Sequence, residues 1–245
     1  MRQILVIKHM SSQNPGIFRE QAAARQVEFT EIDLHAGDAI PDLDSFDGLW
    51  VMGGSMNVWD EQEFPWLAEE KQLVREAVQR QRLPFLGICL GHQLLADALG
   101  GKAEPTERHE IGLFPIIATV AGEDHPLLSG LPQPSLWVNV HRAEITRPPI
   151  GATVLARSEV CDNHVMQVGQ NAFSVQFHPE VCEHTVEEWM KIPGIPEALH
   201  DLLGQAGVDY FHSSIADHLD RHNATAKRLF LNWLDIVFPD PEPNS

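Results

Sequence analysis

The fold is decided by one stretch of the chain, LPFLGICLGHQLLADAL at residues 83–99. Its apolar run 83–88 predicts a buried strand, and the apolar-rich segment 93–99 predicts a helix. Cys89 lies between them, with a glycine two residues away on each side. A nucleophile in a sharp strand-to-helix turn forms a nucleophile elbow, which needs small flanking residues. The helix N-terminus then points at the sulfur and favours its thiolate form.

The segments around this elbow predict an alternation of strands and helices. Helices are predicted at 17–25 and 65–81, and strands at 3–7, 27–33 and 48–52. This βαβαβ order predicts a three-layer α/β fold of the flavodoxin-like kind, with a mostly parallel central sheet.

The later part of the chain predicts a different arrangement. Short β-like runs without long helices between them predict an antiparallel β extension of the sheet, at 112–120, 136–140, 153–157 and 165–168. The sequence after residue 182 predicts a helical extension packed on the same domain, in which Thr185 and Glu188 have capping-box spacing and Asn223 caps a last helix. The predicted organisation is one domain at 1–182, the extension at 183–238 and a frayed tail at 239–245.

A partner for the sulfur occurs much later in the chain. The predicted strand 172–177 is followed by His178-Pro179-Glu180. Side chains two residues apart in extended backbone point the same way, and Pro179 keeps His178 extended. Glu180 is therefore placed to orient the imidazole of a Cys89–His178–Glu180 triad. Alone, the first motif also fits a packed cysteine and the second a surface pair, but each supplies what the other lacks.

These residues suit acyl transfer. Cys89 attacks a carbonyl carbon, and the oxyanion that forms needs fixed hydrogen-bond donors. The backbone N–H of Leu90 is one predicted donor, and Gly54 in the Gly53-Gly54 turn at a neighbouring strand end is the other. His178 protonates the leaving amine and then activates water, while its carboxylate neighbour holds the imidazole tautomer.

The composition argues against several classes of partner. The chain has 245 residues, 43% of them hydrophobic, and a formal net charge of −18. Such a charge repels nucleic acid and anionic membranes, and the apolar stretch 4–7 is too short for a signal or membrane segment. The three cysteines do not suggest a disulfide framework, so the cytoplasm is the expected location. Neither a nucleic acid nor a membrane is expected as a partner.

The two motifs carry a family resemblance. GICLGHQ at 87–93 and QFHPE at 176–180 match the nucleophile and His–Glu motifs of the class I, triad-type glutamine amidotransferases. Residues 3–180 resemble that family in the order of their elements, and the layout is most similar to stand-alone proteins resembling the amidotransferase domain of GMP synthase. The Gly53-Gly54 turn falls where the family has its oxyanion glycines, although Ser55 follows it where the family usually has proline.

The resemblance implies hydrolysis of the γ-amide of glutamine through a γ-glutamyl thioester on Cys89, with release of ammonia. It also implies substrate contacts by Gly53 and Gln93, and neither a cofactor nor a metal. The region of His141 and Glu144 matches the family's His–Gly–Asp segment only loosely, so no substrate contact is assigned there.

The resemblance leaves alternatives open. Most family members pass ammonia to a synthetase, and the residues after Glu180 are expected to form only a helical extension. A separate synthetase then accepts the ammonia, or the enzyme works alone on a small-molecule substrate. One alternative is a γ-glutamyl peptidase acting on larger γ-glutamyl compounds, and another is an inactive amidotransferase-like binding or regulatory module. A DJ-1-type protein is disfavoured, because Leu90 stands where that family commonly has histidine.

Other conspicuous residues are assigned no chemistry. His218 and His222 have the spacing of a helical ligand pair, but Leu219 replaces the glutamate that the zincin pattern needs. Residues 56–60 are the better candidate for a pocket rim, since they continue from the glycine turn. Three tryptophans near that turn fit either core packing or a pocket wall: Trp50, Trp59 and Trp66.

Overall fold

The computed structural model describes residues 1–192 and 194–239. Its strands are β1 (Arg2–Lys8), β2 (Val27–Asp33), β3 (Gly48–Val51), β4 (Phe85–Ile88), β5 (Lys102–Ala118), β6 (Ser135–Arg147), β7 (Ala152–Arg157), β8 (Val165–Val168) and β9 (Ala172–Val175). Its α-helices are α1 (Arg19–Ala24), α2 (Trp66–Arg75), α3 (Leu90–Ala98), α4 (Val120–Glu123), α5 (Thr185–Trp189) and α6 (Ile195–Val237). The first part of the chain therefore alternates strands with helices, as predicted.

One sheet joins these strands in the order β2-β1-β3-β4-β9-β8-β7-β5-β6. The pairs β1–β2, β1–β3, β3–β4 and β4–β9 are parallel. The pairs β9–β8, β8–β7, β7–β5 and β5–β6 are antiparallel. The predicted α/β fold, with a parallel sheet and an antiparallel extension, is confirmed.

The sheet order explains how distant motifs meet. β3, β4 and β9 are neighbours, and the register aligns Val51 with Gly87 and Gly87 with Ser174. The carboxyl ends of parallel strands share one edge of a sheet, which is where sites form in such folds. The glycine turn, Cys89 and His178 follow these three strands, so all three are delivered to the same edge.

Two apolar cores lie on opposite faces of the sheet. Along β1, Ile4 and Val6 join the core that contains Trp233 of α6, whereas Leu5 and Ile7 join the core beneath α2 and α3. This alternation is the two-residue period of a strand buried on both faces. Helices therefore cover both faces and form the outer two of the three layers.

Two predicted helix starts are corrected. α3 begins at Leu90, three residues before the predicted start, because Cys89 alone makes the turn from β4. α6 runs from Ile195 to Val237 with non-helical angles at Gly204 (φ 64°, ψ 171°). Asn223 therefore lies inside this helix and does not cap it, because packing of a long helix outweighs a local capping preference.

The predicted capping box is also wrong. Thr185 lies inside α5, and its hydroxyl oxygen accepts the backbone N–H of Cys182 at 2.9 Å. The side chain thus fixes the turn that precedes α5 and leaves the helix start at His184 without a side-chain cap.

The C-terminal helix packs on the rest of the chain. Asn232 donates from Nδ2 to the carbonyl oxygen of Leu127 at 3.0 Å, and Trp233 is buried. The division at residue 182 stays a prediction, and the predicted tail lies outside the described residues from 240 onward. Across the residues that the structure describes, every helix is too short or too polar to cross a bilayer.

Candidate active site

The backbone at Cys89 has the geometry of a nucleophile elbow. Its φ of 52° and ψ of −102° are unusual for a residue with a side chain. A Cβ atom on Gly91 would overlap the carbonyl oxygen of Val51, and one on Gly87 would lie 2.5 Å from the carbonyl oxygen of Gly91. Both glycines are therefore required by close backbone contacts, as the sequence predicts.

Gly91→Ala is expected to lower the free energy of unfolding by about 3 kcal/mol or more, because backbone atoms of β3 cannot move aside cheaply. Urea denaturation measures this change. Gly151→Ala is the matched control, since Gly151 has a φ of +84° but open space around its Cβ position. It is expected to lower stability by only about 1 kcal/mol, the effect of the left-handed backbone alone. Equal losses in the two variants would show that the close contact at Gly91 is unimportant.

The three residues of the predicted triad meet at the edge of the sheet. Nδ1 of His178 lies 2.7 Å from Oε1 of Glu180, and His178 and Cys89 line the same cavity. Burial lowers the pKa of His178, but the charges of Glu180 and Cys89 and hydrogen bonds to both outweigh burial and raise it to about 10. The imidazole is therefore held between a carboxylate and a sulfur as a strong proton donor.

The carboxylate of Glu180 has its own supports, which the sequence did not reveal. The amide nitrogen of Gln13 donates to Oε1 of Glu180 at 3.2 Å, and its oxygen accepts from Nε1 of Trp189 at 3.2 Å. The Trp189 ring also meets the His178 ring edge-on at 5.0 Å between centroids. These contacts fix the orientation of the His178–Glu180 pair from two elements that are distant in sequence.

The sulfur of Cys89 is buried but faces open space. Only 6% of the residue is exposed, yet it lines a cavity of about 200 Å³. Nε2 of Gln176 donates toward Sγ at 3.7 Å, and the carbonyl oxygen of Val140 lies 4.0 Å from Sγ. A substrate that enters this cavity therefore reaches a sulfur already contacted by a hydrogen-bond donor.

The two predicted oxyanion donors border the same cavity. Gly54 and Leu90 both line it beside Cys89, and neither backbone N–H bonds to another residue in the part of the chain that the structure describes. Gly53 is not among the lining residues. Its carbonyl oxygen accepts from Nδ1 of His9 at 2.8 Å, so its predicted substrate contact stays a prediction.

Gln93 forms part of the cavity wall. Its Nε2 donates to the carbonyl oxygen of Ala143 at 3.0 Å and to Oε1 of Gln176 at 3.1 Å. Both hydrogen bonds use the nitrogen and leave the side-chain oxygen available as an acceptor. Met56 and Asn57 line the cavity too, so part of the predicted rim at 56–60 is present.

The three tryptophans near the glycine turn do not line the cavity. Trp50 is fully buried in the core beneath α6, because its side chain projects from the face of β3 opposite to Val51. Trp59 is largely exposed, and Trp66 stacks on the ring of His9 at 5.4 Å. Trp189 is the tryptophan of the cavity wall.

The outer wall comes from the C-terminal region. It is formed largely by apolar side chains of α5 and α6 and the segment between them: Trp189, Gly194, Ile195, Ala198, Leu199 and Leu202. A small polar substrate does not need an apolar wall of this size, so the wall bears on the choice of substrate.

A buried cluster beside the cavity was not identified from the sequence. Oε2 of Glu110 accepts from Nε2 of His141 at 2.9 Å and from Nε2 of His164 at 2.7 Å. Burial raises the pKa of Glu110, but these hydrogen bonds outweigh burial and hold it below its ordinary range. The ligand atoms lie within 4.8 Å of one another, near enough for a metal ion, but the separations are hydrogen-bond lengths and satisfy the three groups without one. The cluster therefore stiffens the wall at His141.

The comparisons with known proteins agree with this geometry. The family model described as "Glutamine amidotransferase class-I" matches residues 7–190. The chain belongs to the class I glutamine amidotransferase family.

Among individual relatives, the glutamine amidotransferase-like protein YfeJ of Salmonella typhimurium is 34% identical over 185 residues, which cover 74% of this chain and 77% of that protein. The glutamine-hydrolysing subunit of GMP synthase from Halobacterium salinarum is 33% identical over 192 residues, which cover 76% of this chain and 93% of that protein. A glutamine amidotransferase structure from Methylobacillus flagellatus superposes with a TM-score of 0.82 at 25% identity, over 100% of this chain and 99% of that one. That superposition includes α6, which lies outside the family-model match.

Proposed function

We propose that this protein is a glutaminase that hydrolyses the γ-amide of glutamine through a γ-glutamyl thioester on Cys89. The observation that carries the proposal is the placement of His178 between Glu180 and Cys89, in a cavity bordered by two backbone N–H groups without partners among the described residues. A nucleophile, a proton carrier with its orienting carboxylate and an oxyanion site are the parts that acyl transfer requires.

In the first half-reaction, the Cys89 thiolate attacks the amide carbon and a C–S bond forms. The carbonyl oxygen becomes an oxyanion, and the N–H groups of Gly54 and Leu90 donate to it. The imidazolium of His178 then gives its proton to the leaving nitrogen, the C–N bond breaks and ammonia departs. The raised pKa of His178 keeps that proton available at neutral pH.

In the second half-reaction, water attacks the thioester carbon. His178, now neutral, takes the proton of the water, and the C–S bond breaks to release glutamate and restore the thiolate–imidazolium pair. Glu180 accepts from Nδ1 throughout, which leaves Nε2 facing the sulfur and the substrate. Gln93 is proposed to accept from the substrate through its side-chain oxygen.

The destination of the ammonia is a further part of this proposal. The relative from Halobacterium salinarum carries the name of a GMP synthase component. We propose that a separate synthetase protein accepts the ammonia here as well. Glutamine hydrolysis that accelerates when a candidate synthetase is added supports this arrangement.

A γ-glutamyl peptidase is the second candidate, and the apolar wall from α5 and α6 favours it. The reaction at Cys89 is the same, because both substrates contain an amide at the γ-carbonyl. A leaving group with an apolar side chain would bury its surface against Leu199 and Leu202, which glutamine cannot do.

A turnover screen decides between these functions. We expect measurable hydrolysis of glutamine, and a preference of more than about tenfold for γ-glutamyl-leucine in kcat/KM would instead favour the peptidase. In that case Leu202→Asp is expected to lower kcat/KM for the peptide by about tenfold, because it places a charge against the leaving group. Tyr210→Asp is the matched control on the same helix, since Tyr210 is 73% exposed and does not line the cavity. No turnover of either substrate would favour the inactive module.

A further inference from the structure

The pair His9 and Glu70 is fully buried and lies next to the glycine turn. His9 follows β1, and Glu70 lies on α2. Nε2 of His9 lies 2.9 Å from Oε1 and 3.1 Å from Oε2 of Glu70, while Nδ1 lies 2.8 Å from the carbonyl oxygen of Gly53. Neither residue touches the cavity, and the chemistry proposed above does not use them.

The contacts of His9 determine its protonation. Both ring nitrogens face oxygen atoms that only accept hydrogen bonds when Glu70 is ionised. A neutral imidazole has a single N–H and would leave one of these contacts as two facing lone pairs. Both contacts are satisfied only by the imidazolium. Burial lowers the pKa of His9, but the charge and hydrogen bonds of Glu70 and the carbonyl of Gly53 outweigh burial and raise it above its ordinary value.

The Gly53 carbonyl and the Gly54 N–H belong to one peptide unit. A trans peptide is planar, so its C=O and its N–H point in opposite directions. His9 holds the carbonyl on the side away from the cavity, and Gly54 borders the cavity beside Leu90. The Gly54 N–H is therefore directed toward the oxyanion position.

The two glycines make such support necessary. Their positions cannot carry side chains, because a Cβ on Gly53 would lie 3.1 Å from Cε1 of His178 and one on Gly54 would lie 2.7 Å from a methyl group of Leu90. Glycine backbone reaches many more conformations than other residues, so a diglycine peptide rotates easily unless something outside it fixes it. A rotated peptide would present a carbonyl oxygen to the oxyanion and repel it.

We propose that the His9–Glu70 ion pair is a positioning unit that fixes the Gly53–Gly54 peptide in its oxyanion-binding orientation. This inference rests on the proposed acyl-transfer function, and the pair acts through the peptide without touching the substrate. Trp66, one turn before Glu70 on α2, stacks on the His9 ring at an interplanar angle of 17° and keeps the imidazole in the plane that both hydrogen bonds need.

The main test is the double variant His9→Phe with Glu70→Met. It removes the donor to Gly53 and both buried charges together, and it retains an aromatic ring against Trp66, so a stable fold is expected. We expect kcat for glutamine to fall by about 10²-fold with KM within about threefold, because the lost donor acts in the transition state. Alkylation of Cys89 by iodoacetamide forms no oxyanion, and its rate is expected to match that of the wild type.

Two further variants separate positioning from general stability. In His9→Asn with Glu70→Gln, the asparagine amide takes the place of Nδ1 as a donor to Gly53, and kcat is expected to recover by at least about tenfold relative to the first double variant. Lys71→Met is the matched control, since Lys71 is a neighbouring buried cation on α2 whose partners are Glu61 and Asp97. It is expected to lower the unfolding temperature but to leave kcat unchanged.

The outcomes distinguish this inference from the proposed function. Wild-type kcat in the His9→Phe/Glu70→Met variant, or an equal loss in kcat and in alkylation rate, overturns the positioning role. A wild-type protein without turnover on any γ-glutamyl amide overturns the proposed function instead. In that case ¹⁵N NMR of labelled histidine still tests the pair: two protonated ring nitrogens on His9 at neutral pH support it, and a single one overturns it.

Discussion

Cys89→Ala is expected to abolish glutamine turnover while the protein stays folded. Without the sulfur no thioester forms, and loss of a nucleophile of this kind lowers kcat by at least about 10⁴-fold. Alanine retains the Cβ atom and removes one atom from the wall of an existing cavity, so the midpoint of thermal unfolding is expected to change little. Ammonia release at saturating glutamine measures the activity, and circular dichroism measures the fold.

Two companion variants make this result specific. Cys89→Ser is expected to be nearly as inactive, because a hydroxyl beside an imidazolium does not ionise as a thiol does. Cys182→Ala is the control, since Cys182 is a free cysteine whose sulfur lies 3.2 Å from the hydroxyl of Thr185 and lines no part of the cavity. It is expected to retain wild-type activity. Turnover that survives in Cys89→Ala would remove the sulfur from the mechanism.

Local patterns predicted the strands and the elbow well. β2 and β8 have the bounds that their apolar, β-branched runs indicate. The turn at Cys89 was visible because two glycines two residues away on each side are an uncommon requirement, and the structure shows the backbone contacts that impose it. Signals of this kind lie within a few residues of one another, so one sequence is enough to find them.

The supports of the site were invisible for the opposite reason. Gln13 reaches Glu180, and His9 reaches both Glu70 and Gly53, only because the sheet order places β1 beside β3 and the C-terminal region over the same edge. No spacing in the sequence encodes these contacts. A lone histidine after a strand and a lone glutamate on a helix each fit an ordinary surface role.

Proximity in sequence was misleading for the tryptophans. Trp50 lies three residues before the glycine turn, yet it packs in the core beneath α6 with Phe230 and Trp233. A strand buried on both faces directs successive side chains to opposite sides, so only half of its residues can face α2 and α3. Assigning the face of β3 from its register would have excluded Trp50 from the cavity wall.

His178→Ala and Glu180→Ala are expected to differ in size of effect. His178 transfers protons in both half-reactions, so its loss is expected to lower kcat by about 10⁵-fold. Glu180 orients the imidazole and stabilises its charge, and its loss is expected to cost roughly 10- to 100-fold less. Steady-state kinetics with glutamine at pH 7 give the order. A larger effect at Glu180 than at His178 would mean that the two roles are assigned wrongly.

The same pair predicts a change in pH dependence. Because the pKa of His178 is raised to about 10, the imidazolium is present at neutral pH and is lost only as the pH rises through that value. Glu180→Ala removes the carboxylate that opposes desolvation, so the pKa of His178 falls and the imidazolium is lost at a lower pH. The alkaline limit of kcat/KM is therefore expected to move toward neutral pH in the variant, and a pH–rate profile measures the shift. An alkaline limit that stays in place would show that the Glu180 carboxylate does not hold the proton on His178.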